Sequence, residues 1–193
     1  MGGRIYSGGN ILVAGGVSWR GRVERDQVER FEAVALPHLD AAYTLARYLM
    51  RDDAAAQDVV QEAYLRALKY FDRYRGGDAR AWVLAIVRNT SHTWRRREGG
   101  RPIEFDERVH SESVEEHTPE AALLRAADRE MVRRELDQLP LELREVIVLR
   151  EIQGLSYKEI ATVAGIPIGT VMSRLSRART RLEQLLGALA GRE

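Results

Sequence analysis

The chain contains no cysteine, and other absences from its sequence narrow the class of protein further. Without cysteine it can form neither a disulfide framework nor a thiolate metal site, which fits a protein of the reducing cytoplasm. No apolar run approaches the ~18 residues needed to span a bilayer, so we expect no membrane insertion. No stretch alternates apolar and polar residues as a half-buried strand would, which predicts an all-α protein.

The residue patterns typical of enzyme sites are also absent. The four histidines, at positions 38, 92, 110 and 117, are scattered along the chain. No carboxylates cluster on a shared face, and no glycine-rich loop is followed by the Lys-Ser or Lys-Thr pair that binds phosphates. His110 and His117 stand in an acidic segment, where solvated side chains are more common than metal ligands. We therefore predict no catalytic residue, no metal site and no cofactor.

Positive and negative charges are nearly balanced in number but not in position. The 30 lysines and arginines against 29 aspartates and glutamates give a net charge of +1. Arginines cluster in residues 88–101 and again in residues 174–181, and an acidic stretch at 104–120 separates the two clusters. Two basic patches with an acidic connector suggest two contacts with a polyanion such as DNA.

Composition divides the chain into a tail, two helical domains and a linker. Residues 1–25 are glycine-rich and are interpreted as a disordered tail, or as sequence upstream of the true translation start. Helical apolar spacings in residues 26–98 and 119–193 predict two small helical domains. The glycines and proline at 99–102 end the first domain, and residues 99–118 are interpreted as a flexible acidic linker.

Apolar spacings and capping residues predict three helices in the first domain. The first carries a stripe that steps by three and four residues: Leu36, Leu39, Tyr43, Ala46 and Met50. Asp52 and Asp53 supply a cap for the second helix, which is expected to run to about Tyr74 and to end at Gly76-Gly77. Its inner stripe is predicted as Ala56, Val59 or Val60, Ala63, Ala67, and Tyr70 or Phe71. Asp78 can cap the third helix, about Ala79 to Arg97, whose predicted inward residues are Trp82, Ala85, Ile86, and Asn89 or Thr90.

Residues 155–175 carry the clearest local signals, those of two short helices joined by a sharp turn. Ser156 and Glu159 form the capping-box pattern that begins a helix. Gly165 offers the positive φ that ends it tightly. Pro167 and Thr170 suit the first turn and the cap of a new helix. This segment therefore predicts a helix-turn-helix in the C-terminal domain.

The second helix of this hairpin has an apolar side and a cationic side. Its buried stripe is predicted to be Val171, Leu175, Ala178 and Leu182. On another face lie Thr170, Ser173, Arg174, Arg177 and Arg181. A short helix anchored on one side and cationic on the other has the shape that enters a DNA major groove. A merely solvated arginine face is the alternative at this point.

Residues 58–67, 79–89 and the run that begins at Leu139-Pro140 carry motifs that resemble those of a known family, the extracytoplasmic-function sigma factors of the sigma-70 family. Residues 58–67, Asp-Val-Val-Gln-Glu-Ala-Tyr-Leu-Arg-Ala, are similar to the core-polymerase-binding helix of sigma domain 2. Residues 79–89 are similar to the promoter-melting helix of the same domain. The run from Leu139-Pro140 through Arg144-Glu145-Val146 to Gly169-Thr170-Val171 resembles sigma domain 4.

The resemblance implies an RNA polymerase sigma factor, which binds the β′ and β subunits of core polymerase and directs the enzyme to promoter DNA. The family grips a β′ coiled coil with the polar face of the domain 2 helix. The residues that this implies here are Asp58, Gln61, Glu62, Leu65 and Arg66. The resemblance also implies a cytoplasmic protein under the control of an anti-sigma factor.

Separate residues are implied for the two promoter elements. Those for the minus-ten element are Arg75, Gly76, Asp78, Arg88, Asn89, His92, Arg95 and Arg96. Those for the minus-thirty-five element are Lys158, Thr170, Ser173, Arg174, Arg177 and Arg181. Among them, Arg174 is the candidate for a bidentate contact to guanine. Because the hairpin alone would also fit an operator-binding regulator of the response-regulator type, that function stays as the alternative.

Overall fold

The computed structural model describes residues 25–97 and 131–190, and within these ranges the chain is helical, with no strand. The first range contains α1 (Arg25–Ala35), a 3₁₀ turn (Leu36–His38), α2 (Leu39–Met50), α3 (Asp53–Lys69), a second 3₁₀ turn (Phe71–Arg73) and α4 (Ala79–Arg97). The second contains helical residues 131–137, here α5, then α6 (Leu141–Ile147), a π-helical turn (Val148–Ile152), α7 (Tyr157–Ala164) and α8 (Ile168–Ala190). The predicted all-α class is confirmed. The predicted tail, linker and domain boundaries fall largely in 1–24 and 98–130, outside the described residues.

The apolar face of α2 differs from the predicted stripe at its N-terminal end. Its buried residues are Ala42, Leu45, Ala46, Leu49 and Met50. Leu36 and Leu39, which were predicted to be inside, are 46% and 44% exposed. Leu36 lies in the 3₁₀ turn around Pro37, which has three residues per turn rather than 3.6, so it is out of the helical register of α2. Leu39 is the first residue of α2, where the helix emerges from that turn.

Helix α3 begins where its cap predicts and ends earlier than expected. The Asp52 carboxylate accepts the backbone N–H of Ala55 at 2.6 Å, which confirms the N-terminal cap. The inner stripe is confirmed, with buried residues Ala56, Val59, Val60, Ala63 and Ala67. The prediction that α3 continues to about Tyr74 is wrong, because a 3₁₀ turn follows Lys69 and buries Phe71 edge-to-face against Phe31, 5.5 Å between ring centroids.

Helix α4 has the predicted bounds but buries a wider surface than the predicted stripe. Asp78 Oδ1 accepts the N–H of Ala81 at 3.0 Å, which confirms the predicted cap. The buried residues are Ala81, Val83, Leu84, Val87, Thr90 and Ser91. The predicted stripe is confirmed in part: Thr90 is buried, and Trp82 and Ile86 are half-buried and pack against the core. Ala85 is half-buried, Asn89 is exposed, and the prediction missed the other buried residues. Two of the buried residues are polar, and they tolerate burial because each hydroxyl donates to the carbonyl four residues back, at 2.8 and 2.9 Å.

The helix-turn-helix prediction is confirmed in its backbone detail. Ser156 and Glu159 make both bonds of a capping box at the start of α7, and Gly165 ends that helix with φ of 65°. In α8, Val171, Leu175 and Ala178 are buried, as predicted, and Leu182 is half-buried. Thr170 is not the cap of α8, because the helix begins at Ile168 and the carbonyl of Pro167 accepts the N–H of Thr170 at 2.9 Å.

The two helical regions pack against each other, α4 on α7 and α2 on α6. Gln153, buried in the turn after α6, bridges them: its amide donates to the carbonyl of Ala41 at 3.1 Å and accepts from Arg80 Nη2 at 2.7 Å. This arrangement was not predicted from the sequence. It places α4, the helix assigned to the minus-ten element, beside the C-terminal domain.

Candidate nucleic-acid interfaces

Helix α8 presents its polar face to solvent on the side opposite its buried stripe. Ser173 and Arg177 are exposed, and Thr170 and Arg174 are half-buried. Arg177 Nε donates to the carbonyl of Ser173 at 3.3 Å, which aligns the guanidinium along the helix. No hydrogen bond or ion pair joins Arg174 to another described residue, so its donors are free for a ligand. A guanidinium held on a rigid helix with free donors is suited to a base edge or a phosphate.

Two other cations near this face differ in what they contact. Arg181 Nη1 lies 3.4 Å from Gln184 Oε1 within the exposed part of α8. Arg179 points instead toward the turn after α6 and pairs with Glu151 at 2.8 Å. Lys158 is exposed on α7. The candidates on α8 thus share one face of that helix, and Lys158 is a separate exposed cation on α7.

The loop before α4 is shaped by two glycines and a tyrosine. Gly76 and Gly77 have φ of 88° and 98°, values that favour glycine over other residues. The Tyr74 hydroxyl donates to the carbonyl of Gly77 at 2.8 Å and holds the loop against the bundle. Arg75 is exposed here. Asp78 is exposed too, but its carboxylate is engaged as the cap of α4, so it has a structural role whatever its contact with DNA.

Arg88 and His92, one turn apart on α4, share a single carboxylate from the other domain. Arg88 Nε lies 2.7 Å from Glu145 Oε1, and its Nη2 lies 3.5 Å from Oε2. His92 Nε2 lies 3.1 Å from the same Oε2. The Glu145 side chain is fully buried. Burial acts to raise the pKa of Glu145, but hydrogen bonds from His92 and Arg88 outweigh it, so the pKa lies below its ordinary value.

The remaining candidates on α4 point outward or toward α2. Asn89 is exposed and its Oδ1 accepts from Arg88 at 3.1 Å. Arg96 is exposed near the end of the helix. Arg95 Nη1 donates to the carbonyl of Leu49 at 3.2 Å, which ties the end of α4 to the C-terminus of α2. A cation near a helix C-terminus interacts favourably with its free carbonyls and dipole.

The candidate polymerase-binding residues on α3 are in two different environments. Asp58 and Gln61 are exposed, and no bond joins either side chain to another described residue. Leu65 is half-buried beside them. Glu62 is turned toward α4 and accepts hydrogen bonds from the Trp94 indole and from Arg66. Burial acts to raise the pKa of Glu62, but the hydrogen bonds from Trp94 and Arg66 outweigh it and lower the pKa.

Glu62 and Arg66 were predicted to share one solvated face with Asp58 and Gln61. The structure shows instead that both are half-buried and bonded to each other. Glu62 ties α3 to α4 through Trp94, and that bond accounts for the half-buried indole. Their assignment to polymerase binding stays a prediction, with the free part of the face reduced to Asp58, Gln61 and Leu65.

Glu145 is the functional candidate that the sequence analysis missed. The signal was present, because Arg144 and Glu145 stand as adjacent charges directly before the apolar residues 146–149, where burial forces each to find a partner. Which partner each one finds depends on the other domain. Among the described residues, no group of three His, Asp or Glu side chains is arranged as metal ligands; His110 and His117 lie outside them.

Comparison with known proteins decides the family. The description "Sigma-70 region 2" matches residues 35–101, and "Sigma-70, region 4" matches residues 129–182. The RNA polymerase sigma-H factor of Pseudomonas aeruginosa is 35% identical over 179 residues, an alignment that covers 87% of this chain and 92% of that protein. The chain belongs to the sigma-70 family.

Other relatives place this sigma factor in the extracytoplasmic-function group. The ECF RNA polymerase sigma-E factor of Escherichia coli is 33% identical over 181 residues, covering 89% of this chain and 94% of the relative. The sigma factor RpoE of Bartonella quintana, solved in complex with the anti-sigma factor NepR, matches with a TM-score of 0.67 and 29% identity over 82% of this chain and 98% of that one. CnrH, solved with the cytosolic domain of CnrY, gives a TM-score of 0.59 and 29% identity over 83% and 90% of the two chains.

The family membership confirms the function that the sequence predicted. As an RNA polymerase sigma factor, the protein binds core polymerase and directs promoter recognition and transcription initiation. The alternative of a response-regulator-type operator binder is not favoured, because both sigma regions match in order. Within residues 25–97 and 131–190, no helix is both long and apolar enough to cross a membrane.

Proposed function

We propose that this sigma factor reads the minus-thirty-five element with the polar face of α8 and the minus-ten element with α4 and the loop before it. The observation that carries the first assignment is Arg174, a guanidinium without an internal partner on a helix whose opposite side is buried. Support for the second comes from the positive-φ glycines at 76 and 77, which let backbone approach a nucleotide, and from the cations along α4. Unstacking a base costs a few kcal/mol, so a protein that melts the minus-ten element needs contacts to the nucleotide that offset this cost.

Polymerase docking is proposed for the exposed part of α3, with Asp58, Gln61 and Leu65 as its centre. A carboxylate and an amide beside a partly exposed leucine suit a basic partner helix. We further propose that the protein works in the cytoplasm, where polymerase and promoters meet. An anti-sigma factor is proposed as its regulator, because RpoE of Bartonella quintana was solved in complex with the anti-sigma factor NepR and CnrH was solved with the cytosolic domain of CnrY.

Replacing Arg174 with alanine should weaken holoenzyme binding only to promoters that carry an intact minus-thirty-five element. Loss of a bidentate base contact is expected to weaken the binding free energy by about 1–3 kcal/mol on the intact element. On a scrambled element the binding free energy should change little. The measurement is a titration of both DNAs with reconstituted holoenzyme at fixed salt. Arg181→Ala is the matched control and should weaken both DNAs alike, as a backbone contact does. An equal loss on both DNAs for Arg174→Ala would show that Arg174 does not read bases.

The function as a whole is tested by run-off transcription with core polymerase on a promoter library. The wild-type chain should direct initiation from a discrete set of promoters, and should not shift the same DNAs by itself. A chain that never associates with core polymerase, and yet binds operators unaided as a dimer, would instead be an operator-binding regulator.

A further inference from the structure

Two apolar side chains are exposed at the start of α8, the helix that carries most of the minus-thirty-five candidates. Ile168 is 50% exposed and Met172 is 53% exposed, the highest values among the large hydrophobic side chains that the structure describes. They are four residues apart, so they are neighbours on one side of the helix. A single exposed apolar residue is ordinary on a protein surface, but an adjacent pair on a binding helix indicates a partner that covers it.

The residues around Met172 are small and leave it accessible. Gly169 and Ser176, about one turn away on either side, are exposed, and so is Ser173 next to it. The Ser173 hydroxyl donates to the carbonyl of Thr170 at 3.1 Å and therefore lies against the helix. A Cβ placed on Gly169 would meet no atom within 4 Å. The Met172 thioether is thus open to a ligand at the N-terminal end of α8, the part of a recognition helix that contacts base edges.

The charges along α8 decide which class of partner fits this pair. From Ile168 to Leu182 the charged side chains are the arginines at 174, 177, 179 and 181, and the first acidic residue of the helix is Glu183. Apolar groups bordered only by cations suit a polyanion that also presents methyl groups. The major groove of DNA is such a surface, because each thymine presents its C5-methyl group there.

We propose that Ile168 and Met172 read thymine in the minus-thirty-five element by packing against C5-methyl groups in the major groove. This rests on the proposed reading of that element by α8. Arginine donors recognise guanine through hydrogen bonds, but a methyl group accepts none and is recognised by apolar contact. Ile168 offers a stiff β-branched side chain, and Met172 offers a flexible one that adapts to the shape of the groove. The pair therefore gives the element a requirement for A·T pairs that the arginines do not supply.

The first test removes only the methyl group from the DNA. Each thymine in the minus-thirty-five element of a promoter selected by run-off transcription is replaced, one at a time, by deoxyuridine, which keeps every hydrogen-bonding atom. Holoenzyme that contains the wild-type chain is titrated with each DNA at fixed salt. At one or two positions the affinity should fall about fourfold, the effect of no longer burying one methyl group.

Variants of the chain assign the methyl contact to the two side chains. The quantity compared is the ratio of the affinities for thymine and deoxyuridine at one position, measured with the same holoenzyme. Met172→Ala should reduce this ratio to about one at one position at least, and the double variant with Ile168→Ala should do so at every affected position. Both side chains are exposed and alanine favours the helix, so the variants should fold.

Leu186→Ala is the matched control for the loss of an exposed apolar side chain. Leu186 is 43% exposed on the same helix, and it lies fourteen residues beyond Met172, about 21 Å along the helix axis. This variant should keep the wild-type ratio at every position. Because the ratio is taken within one holoenzyme, a weaker association with core polymerase does not change it.

Met172→Gln tests whether the contact has to be apolar. Glutamine has a similar length but ends in an amide, which pairs with the edge of adenine rather than with a methyl group. Holoenzyme with this variant should therefore select promoters in which another base replaces the thymine that Met172 covers. The measurement is run-off transcription from the same promoter library that is used for the wild-type chain.

Three results would overturn the proposal. The first is full binding of wild-type holoenzyme to every deoxyuridine promoter, or a selected element without A·T pairs, which would leave the apolar pair to a protein partner. The second is an unchanged ratio in the double variant, because another residue would then contact the methyl group. The third is selection of the same element by Met172→Gln. None of them affects the proposed function, which fails only if wild-type holoenzyme does not distinguish an intact minus-thirty-five element from a scrambled one.

Discussion

Replacing Asp58 and Gln61 together with alanine is expected to abolish retention of this sigma factor on core polymerase. Both side chains are exposed on α3 and lack bonds to other described residues, so the change removes only surface available to a partner. Truncating a hot-spot residue at the centre of an interface weakens the binding free energy by about 2 kcal/mol or more. Two such losses would make the complex too weak to be retained in a pull-down. The measurement is co-purification with tagged core polymerase, with helicity followed by circular dichroism.

A double replacement elsewhere controls for the loss of exposed polar groups in general. Glu29→Ala with Glu32→Ala changes two exposed residues of α1, outside the proposed docking face, and should leave retention unchanged. If the Asp58 and Gln61 variant is still retained as strongly as this control, α3 does not dock through its exposed face. Docking would then have to involve Glu62 and Arg66, which are bonded to each other.

Replacing Arg144 with alanine should produce the largest loss of stability among the charged positions, about 3–5 kcal/mol. The Arg144 side chain is fully buried on α6 and donates to Asp137, both to the carboxylate at 3.2 Å and to the backbone carbonyl at 3.3 Å. Burial lowers the pKa of Arg144 to about 10, with Arg51 adding to the effect and Asp137 opposing it, so the group is still charged at neutral pH. Its removal leaves Asp137 buried with fewer cations around it.

The loss is measured by urea unfolding of the full chain. Arg177→Ala, an exposed arginine of α8, is the control and should change the free energy of unfolding by less than about 0.5 kcal/mol. Arg144→Met separates the effect of packing from the effect of charge. Its apolar side chain of similar length restores the packing that alanine loses, but it carries no charge to pair with Asp137. An Arg144→Ala variant as stable as wild type would show that the pair with Asp137 contributes nothing.

The parts of the fold that were predicted correctly rest on short-range chemistry. The capping box of Ser156 and Glu159, the left-handed Gly165 and the Asp52 and Asp78 caps each involve atoms within three or four residues. Such bonds form in the same way wherever the helix is placed. The prediction of the buried residues of α8 was correct because this helix is buried along one side only, as the amphipathic pattern assumes.

The errors occur where several neighbours compete for one helix. Helix α4 contacts α2, α3 and α7, so its buried surface is wider than one stripe and includes hydroxyls that bond within the helix. The end of α3 was misjudged because the burial of Phe71 against Phe31, not the glycines at 76 and 77, decides where the chain leaves the helix. Neither effect has a signal within the segment itself.

The amino-acid sequence by itself determined the all-α class, the helix-turn-helix, the family and which face of α8 is polar, because caps, glycines and apolar spacing act over a single turn or two. Only the tertiary structure decided that Glu145 is the partner of Arg88 and His92. That pairing joins residues 57 and 53 positions apart. A buried charge must find a partner, but which one it finds depends on how two separately folded units come to rest against each other.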